Sequence, residues 1–128
     1  MNTQKVLFVD DEPGILMTLE KAFTRDGYAV RTADSGEAAL ALLQAEDIHV
    51  MFLDLNLPGM SGIELCRRIK QERPMDIVFS LTGYASLFEL SECREAGFDD
   101  YFKKPADLKL LKAAAQAAFE KQNRWKKG

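Results

Sequence analysis

Apolar and polar positions along the chain follow two alternating patterns. Five short apolar runs are separated by longer segments in which apolar residues recur every three or four positions. The short runs are typical of buried strands, and the longer segments are typical of amphipathic helices. The predicted strands lie at residues 6–9, 28–33, 50–53, 77–81 and 100–102.

The helical segments carry start and stop signals. Three of them begin with a short polar side chain followed three residues later by Glu, the pattern of a capping box. Proline suits a first helical turn, and glycine suits a helix end. The residues concerned are Asp34, Ser61 and Ser86 as caps, Pro13 in the first helix, and Gly27 and Gly97 at helix ends.

Strands without a polar face that alternate with helices predict a parallel sheet covered on both sides. Right-handed crossovers then give a doubly wound α/β domain with five strands and five helices. We expect residues 1–122 to form this domain. Residues 123–128 are polar and basic, and they are read either as a helix end or as the start of a linker.

Composition narrows the class of protein. A length of 128 residues suits one domain, and a net charge of −3 provides no overall basic surface for nucleic acid. Two cysteines, Cys66 and Cys93, are too few for a secreted disulfide framework and are expected to be reduced core thiols. No apolar run has the length of a membrane span or of a signal core, so a cytoplasmic location is expected.

Polar side chains follow four of the predicted strands. Asp10 and Asp11 follow the first, Asp54 the third, Thr82 the fourth and Lys104 the fifth. Because ligands bind at the carboxyl ends of strands in such sheets, these side chains are expected to share one site. Three carboxylates and one ammonium leave a charge of −2, which attracts a divalent cation, and oxygen ligands favour Mg²⁺ or Mn²⁺. A carboxylate in such a site can act as a nucleophile on phosphorus.

Four segments, FVDDEP, FLDLNLPGMSG, SLTGYA and DYFKKP, resemble the signatures of the receiver domain of two-component response regulators. The resemblance covers residues 5 to about 122. It implies the flavodoxin-like fold with strand order 2-1-3-4-5. It also implies that Asp54 is the phosphoacceptor. Asp54, Asp11 and the backbone carbonyl of Asn56 would bind the metal directly, with Asp10 acting through water.

The resemblance also implies roles for residues of the last two strands. Thr82 would hydrogen-bond the phosphoryl group and Lys104 would pair with it, next to a cis bond to the proline that follows. Tyr101 would be the aromatic switch that turns inward when Thr82 moves. Tyr84 is expected to cover part of the site and slow hydrolysis.

The partner implied by the resemblance is a sensor histidine kinase or a histidine phosphotransfer protein. A downstream protein or output domain would dock on the face formed by helix 4, strand 5 and helix 5, and a phosphorylation-dependent homodimer is left open. The chain would then be a phosphoprotein of a phosphorelay. It would not be a conventional enzyme, but a domain that phosphorylates and dephosphorylates itself with Mg²⁺.

Three other functions fit parts of the pattern. A phosphatase of the haloacid-dehalogenase type also has a nucleophilic Asp after a strand, but its second acid is replaced here by Asn56. A flavodoxin-like flavin binder needs a hydroxyl- and glycine-rich loop where this chain has acids. A pseudo-receiver that acts as an unphosphorylated interaction module stays open as the alternative. His49, the one histidine, is expected to be a surface residue far from the site.

Overall fold

Strands and helices alternate along the chain as predicted. The computed structural model describes residues 4–83 and 85–127. The elements are β1 Lys5–Val9, α1 Pro13–Arg25, β2 Ala29–Ala33, α2 Gly36–Ala45, β3 Val50–Leu53, α3 Gly62–Glu72, β4 Ile77–Thr82, α4 Leu87–Ala96, β5 Asp100–Lys103 and α5 Leu108–Lys127.

The five strands form one parallel sheet in the order β2-β1-β3-β4-β5, which confirms the implied topology. The order reverses at β1, since β2 lies on one side of it and β3 on the other. The carboxyl ends of β1, β3, β4 and β5 therefore line up in that order along one edge. This edge carries the polar residues that follow those strands.

Helices cover both faces of the sheet, and each face has its own apolar core. Alternate residues of the central strands point to opposite faces, so Phe8 and Phe52 join one core while Leu7 and Met51 join the other. The first core includes Phe23 of α1 and residues of α5, and the second is formed with α2, α3 and α4. Strands that are buried on both sides need the continuous apolar runs seen in the sequence.

The helix ends agree with most of the sequence signals. Ser86 and Glu89 form a complete capping box at α4, and Ser61 accepts a hydrogen bond from the Glu64 backbone N–H at α3. The predicted cap of α2 at Asp34 is wrong. The chain is still extended at Ser35, so that residue is the N-cap and accepts a hydrogen bond from the backbone of Ala38.

The last helix continues through the predicted tail. α5 runs unbroken from Leu108 to Lys127, so residues 123–127 are helical, while the domain boundary at residue 122 stays a prediction. Cys66 and Cys93 are buried and unpaired, as expected. Within the described part of the chain, none of the helices combines the length and apolarity needed to cross a bilayer.

Candidate functional site

The two central strands place two carboxylates side by side. Asp10 follows β1 directly, and its backbone N–H donates to Ala33 O at 3.0 Å. Asp54 follows β3, and its backbone N–H donates to Val9 O at 2.9 Å. Each backbone thus continues the sheet for one residue beyond the strand. Both residues are buried, so their carboxylates need partners.

The turn after β3 is held tightly against the start of α3. The Gly62 backbone N–H donates to Leu55 O at 3.0 Å. A Cβ atom at Gly62 would collide with the carbonyl oxygen of Asp54 and lie 2.8 Å from Leu55 Cα. Only glycine fits this approach, which fixes the backbone of Asp54 against the N-terminus of α3.

Lys104 connects the carboxylates. Its Nζ lies 2.7 Å from Asp10 Oδ2, 3.3 Å from Asp54 Oδ2 and 3.5 Å from Glu12 Oε1. The side chain is only 14 % exposed, and the peptide bond between Lys104 and Pro105 is cis, as the resemblance implied. The Lys104 ammonium therefore contacts three carboxylates, two that follow β1 and one that follows β3.

Burial and neighbouring charges shift the pKa values of Asp10 and Lys104 in opposite directions. Burial raises the pKa of Asp10, and this outweighs the lowering effect of Lys104 and of the Glu12 N–H, which donates to Asp10 Oδ1 at 2.9 Å. Burial lowers the pKa of Lys104, but Asp10 and Asp54 outweigh it and raise that pKa above its usual value. Lys104 is consequently a fixed cation at the site.

The donor set suits a small divalent cation. Asp10, Asp11 and Glu12 can each place a carboxylate oxygen within 4.8 Å of the other two. Asp10 is buried while Asp11 and Glu12 are exposed, so this edge of the sheet is open to an ion that enters from solvent. Carboxylate oxygens are the ligands preferred by Mg²⁺ and Mn²⁺. Of these three residues, Asp10 and Asp11 are the predicted metal ligands, and their chemistry fits such an ion.

Thr82 ends β4 with its side chain buried. Its Oγ1 has no hydrogen-bond partner among the described residues, although its carbonyl accepts from the Lys104 N–H at 2.9 Å. A buried hydroxyl without a partner costs about 1–3 kcal/mol. Such a group is satisfied when a ligand oxygen arrives, so its position at this edge agrees with a site for an anion.

The other predicted site residues lie around this centre. Asp11 is exposed at the acidic edge, and the Asn56 backbone N–H donates to Asp54 Oδ1 at 3.3 Å. Tyr101 is half-buried on β5, in register with Ser80, and packs against the core formed with α2, α3 and α4. Tyr84 lies outside the described residues.

Two features were missed by sequence reasoning. Glu12, adjacent to the paired acids, reaches Lys104 although the sequence suggested no role for it. His49 is half-exposed, but it is not a plain surface residue: Nδ1 lies 2.6 Å from Asp76 Oδ1, and Nε2 lies 2.6 Å from Asp47 Oδ1. No periodic signal in the sequence brings residues 47, 49 and 76 together, because they come from two separate loops.

The arrangement can be compared with known proteins. The family model of the response regulator receiver domain matches residues 6–116. The chain belongs to the response regulator receiver family. Sporulation initiation phosphotransferase F of Bacillus subtilis is 34 % identical over 116 residues, which cover 91 % of this receiver domain and 94 % of that protein.

A solved structure supports the same assignment. The CheY-like receiver domain protein from Methanospirillum hungatei JF-1 is 30 % identical, has a TM-score of 0.89, and is matched over 96 % of this receiver domain and 99 % of that chain. Some relatives are much longer. A cyclic di-GMP phosphodiesterase of Thermotoga maritima is 38 % identical over 107 residues, which cover 84 % of the receiver domain and 28 % of that relative.

Proposed function

We propose that this receiver domain accepts a phosphoryl group on Asp54 from a phosphohistidine and passes the signal on by a change of shape. The observation that carries the proposal is the position of Asp54, a buried carboxylate 3.3 Å from the partly buried ammonium of Lys104, which also pairs with Asp10. A nucleophilic carboxylate needs nearby positive charge to receive the oxygens of the incoming group.

The residues of the site divide the work of the transfer. An oxygen lone pair of Asp54 forms the new P–O bond, while the electron pair of the broken P–N bond stays on the donor imidazole. Lys104 and the unpartnered hydroxyl of Thr82 hold the phosphoryl oxygens. Asp11, Asp54 and the Asn56 carbonyl would hold Mg²⁺ or Mn²⁺ directly, with Asp10 acting through water. When bound, such an ion neutralises phosphoryl charge.

The same site supports the return to the resting state. Water attacks the phosphorus of the aspartyl phosphate, the P–O bond to Asp54 breaks, and inorganic phosphate leaves with the Asp54 carboxylate restored. The domain thus removes its own label, and the bound ion would again neutralise phosphoryl charge. Phosphorylation places nearly two negative charges where one stood. Thr82 then turns toward the phosphoryl group, and Tyr101 turns inward beside it, which shifts an equilibrium between two states.

The proposed partners follow from this reaction. A sensor histidine kinase or a histidine phosphotransfer protein supplies the phosphoryl group, and a downstream protein or output domain docks on the face of α4, β5 and α5. Leu87 and Phe88 at the start of α4 are exposed apolar side chains that suit such a contact. We place the exchange in the cytoplasm, where the buried free thiols of Cys66 and Cys93 stay reduced.

Phosphoryl labelling tests the proposal. The purified chain is incubated with acetyl phosphate and Mg²⁺, and its intact mass is measured beside a sample with EDTA. We expect one phosphoryl increment that requires the metal. If no increment forms, and beryllofluoride with Mg²⁺ also fails to bind, the proposal is wrong and the pseudo-receiver alternative takes its place.

A further inference from the structure

Glu12 occupies the N-cap position of α1 without acting as a cap. Its backbone is extended, and its side chain makes no capping hydrogen bond to the helix. The backbone N–H instead donates to Asp10 Oδ1, and the carboxylate lies 3.5 Å from Lys104 Nζ. The side chain is 62 % exposed, so one of its oxygens faces Lys104 while the group stays open to an incoming molecule.

A groove leads to this carboxylate. It has a volume of about 740 Å³ and lies between α1 and the start of α5. Its walls are mostly apolar, with Ile15, Ala106 and Leu108 among them, and Glu12 and Lys104 are its charged residues. Lys104 lines the groove and its Nζ lies 3.3 Å from Asp54 Oδ2, so Lys104 joins the end of the groove that holds Glu12 to the proposed phosphoacceptor.

We propose that Glu12 determines donor specificity by accepting a hydrogen bond from the imidazole ring that carries the phosphoryl group. This inference rests on the proposed function. In a phosphoimidazole, one ring nitrogen is bonded to phosphorus and the other can carry a proton. A carboxylate beside that N–H favours the protonated ring, which leaves as neutral imidazole when the P–N bond breaks and the P–O bond to Asp54 forms.

An acyl phosphate meets the opposite environment. Its leaving group is a carboxylate, which has no N–H to donate and carries away a negative charge. Glu12 therefore repels this donor as it enters and offers it no hydrogen bond. The exposed position of Glu12 allows it to distinguish the two donors, whereas Lys104 assists the phosphoryl group of both.

The test compares two donors on matched variants. Initial rates of intact-mass labelling are measured with Mg²⁺ and either monophosphoimidazole or acetyl phosphate, on wild type, Glu12→Gln, Glu12→Ala and the control Glu20→Gln. Glu20 is an exposed residue of α1, so Glu20→Gln removes one negative charge at a position farther from the site. We expect Glu12→Ala to lose about tenfold in the second-order rate constant of labelling with monophosphoimidazole, the value of one charge-assisted hydrogen bond. With acetyl phosphate its rate should be equal to wild type or higher.

The ratio of the two rates separates the inference from other effects. If Glu12 acted only through Lys104 or the metal, both donors would slow equally, and the inference would be wrong. Equal rates in wild type and Glu12→Ala with monophosphoimidazole would also overturn it, as would the same change of ratio in Glu20→Gln. Failure of wild type to label with either donor would refute the proposed function itself, which is a separate result.

Discussion

Lys104 Nζ lies 2.7 Å from Asp10 Oδ2, closer than it lies to either of the other two carboxylates at the site. In this state the ammonium is held mainly by the residue at the end of β1. In the proposed reaction, a phosphoryl group on Asp54 or a cation beside Asp10 would compete with this ion pair for its partners. The ion pair would then be the resting arrangement from which the proposed switch starts.

Removing the ammonium should destabilise the domain. Lys104→Met leaves the buried Asp10 and Asp54 without their cation, and breaking a buried pair from one side is costly. We expect the free energy of unfolding in urea without metal to fall by about 2 kcal/mol. The control is Lys103→Met, since Lys103 is the adjacent exposed lysine on β5. Equal stability of the two variants would show that the ion pair contributes nothing.

Mg²⁺ should stabilise the folded protein and compete with Lys104. An ion that binds only the native state adds about 1.4 kcal/mol when its concentration is tenfold above Kd. We expect the melting temperature to rise with Mg²⁺ in wild type, to rise more in Lys104→Met, and to rise less in Asp11→Asn. The measurement is thermal unfolding at matched ionic strength with Na⁺ as the control. The absence of any shift in wild type at millimolar Mg²⁺ contradicts the metal site.

The close approach at Gly62 should tolerate no side chain. Gly62→Ala places a Cβ atom against the carbonyl oxygen of Asp54, so the turn or α3 must move. We expect a loss of about 3 kcal/mol in urea unfolding, together with slower phosphoryl labelling. Gly14→Ala in α1 is the matched control. It meets no atom within 4 Å and should gain up to about 1 kcal/mol from better helix propensity. A Gly62→Ala variant as stable as wild type would refute the described packing.

His49 should make stability depend on pH at the opposite end of the sheet. Burial lowers its pKa, but the hydrogen bonds and charges of Asp76 and Asp47 outweigh it, so the folded-state pKa is raised above 6.5. Both ring nitrogens face carboxylates, and the doubly protonated ring can donate a hydrogen bond to each of them. Stabilisation from His49 is therefore complete below pH 6.5 and is lost as the pH rises through the folded-state pKa.

Urea unfolding between pH 6 and pH 8 measures this effect. His49 is the one histidine in the chain, and burial raises the cysteine pKa values to about 12 for Cys66 and about 11 for Cys93. We expect the free energy of unfolding of wild type to decrease across this range and that of His49→Gln to stay nearly level. Identical slopes in the two proteins would show that the two aspartates do not hold the imidazolium.

The fold was predictable because its signals are local and repeated. Apolar runs such as residues 50–53 are buried on both faces of the sheet, and this alone identifies parallel strands between helices. The position of Asp54 also followed from sequence, because the residue after a central strand must emerge at the carboxyl edge. The α2 cap was misplaced by one residue, since Asp34 and Ser35 are both good caps and only the backbone conformation selects between them.

Contacts between distant loops were not predictable in the same way. The contact between His49 and Asp76 joins residues 27 positions apart, and Asp76 lies in the loop directly before β4. Glu12 is adjacent to two predicted site residues, but the contact of its side chain depends on the helix start at Pro13. It also depends on the location of Lys104, which is 92 positions away. These contacts arise from tertiary packing, so neither the apolar runs of the strands nor the helical spacing of apolar residues predicts them.

The central claim is that Asp54 carries the phosphoryl group. Wild type and Asp54→Asn are incubated with acetyl phosphate and Mg²⁺, reduced with borohydride, which converts an aspartyl phosphate to homoserine, and digested for peptide mass spectrometry. The account predicts homoserine at position 54 in wild type, and no homoserine anywhere in Asp54→Asn, which should stay folded. Homoserine at position 10 or 11 in wild type, or undiminished labelling of Asp54→Asn, would contradict it.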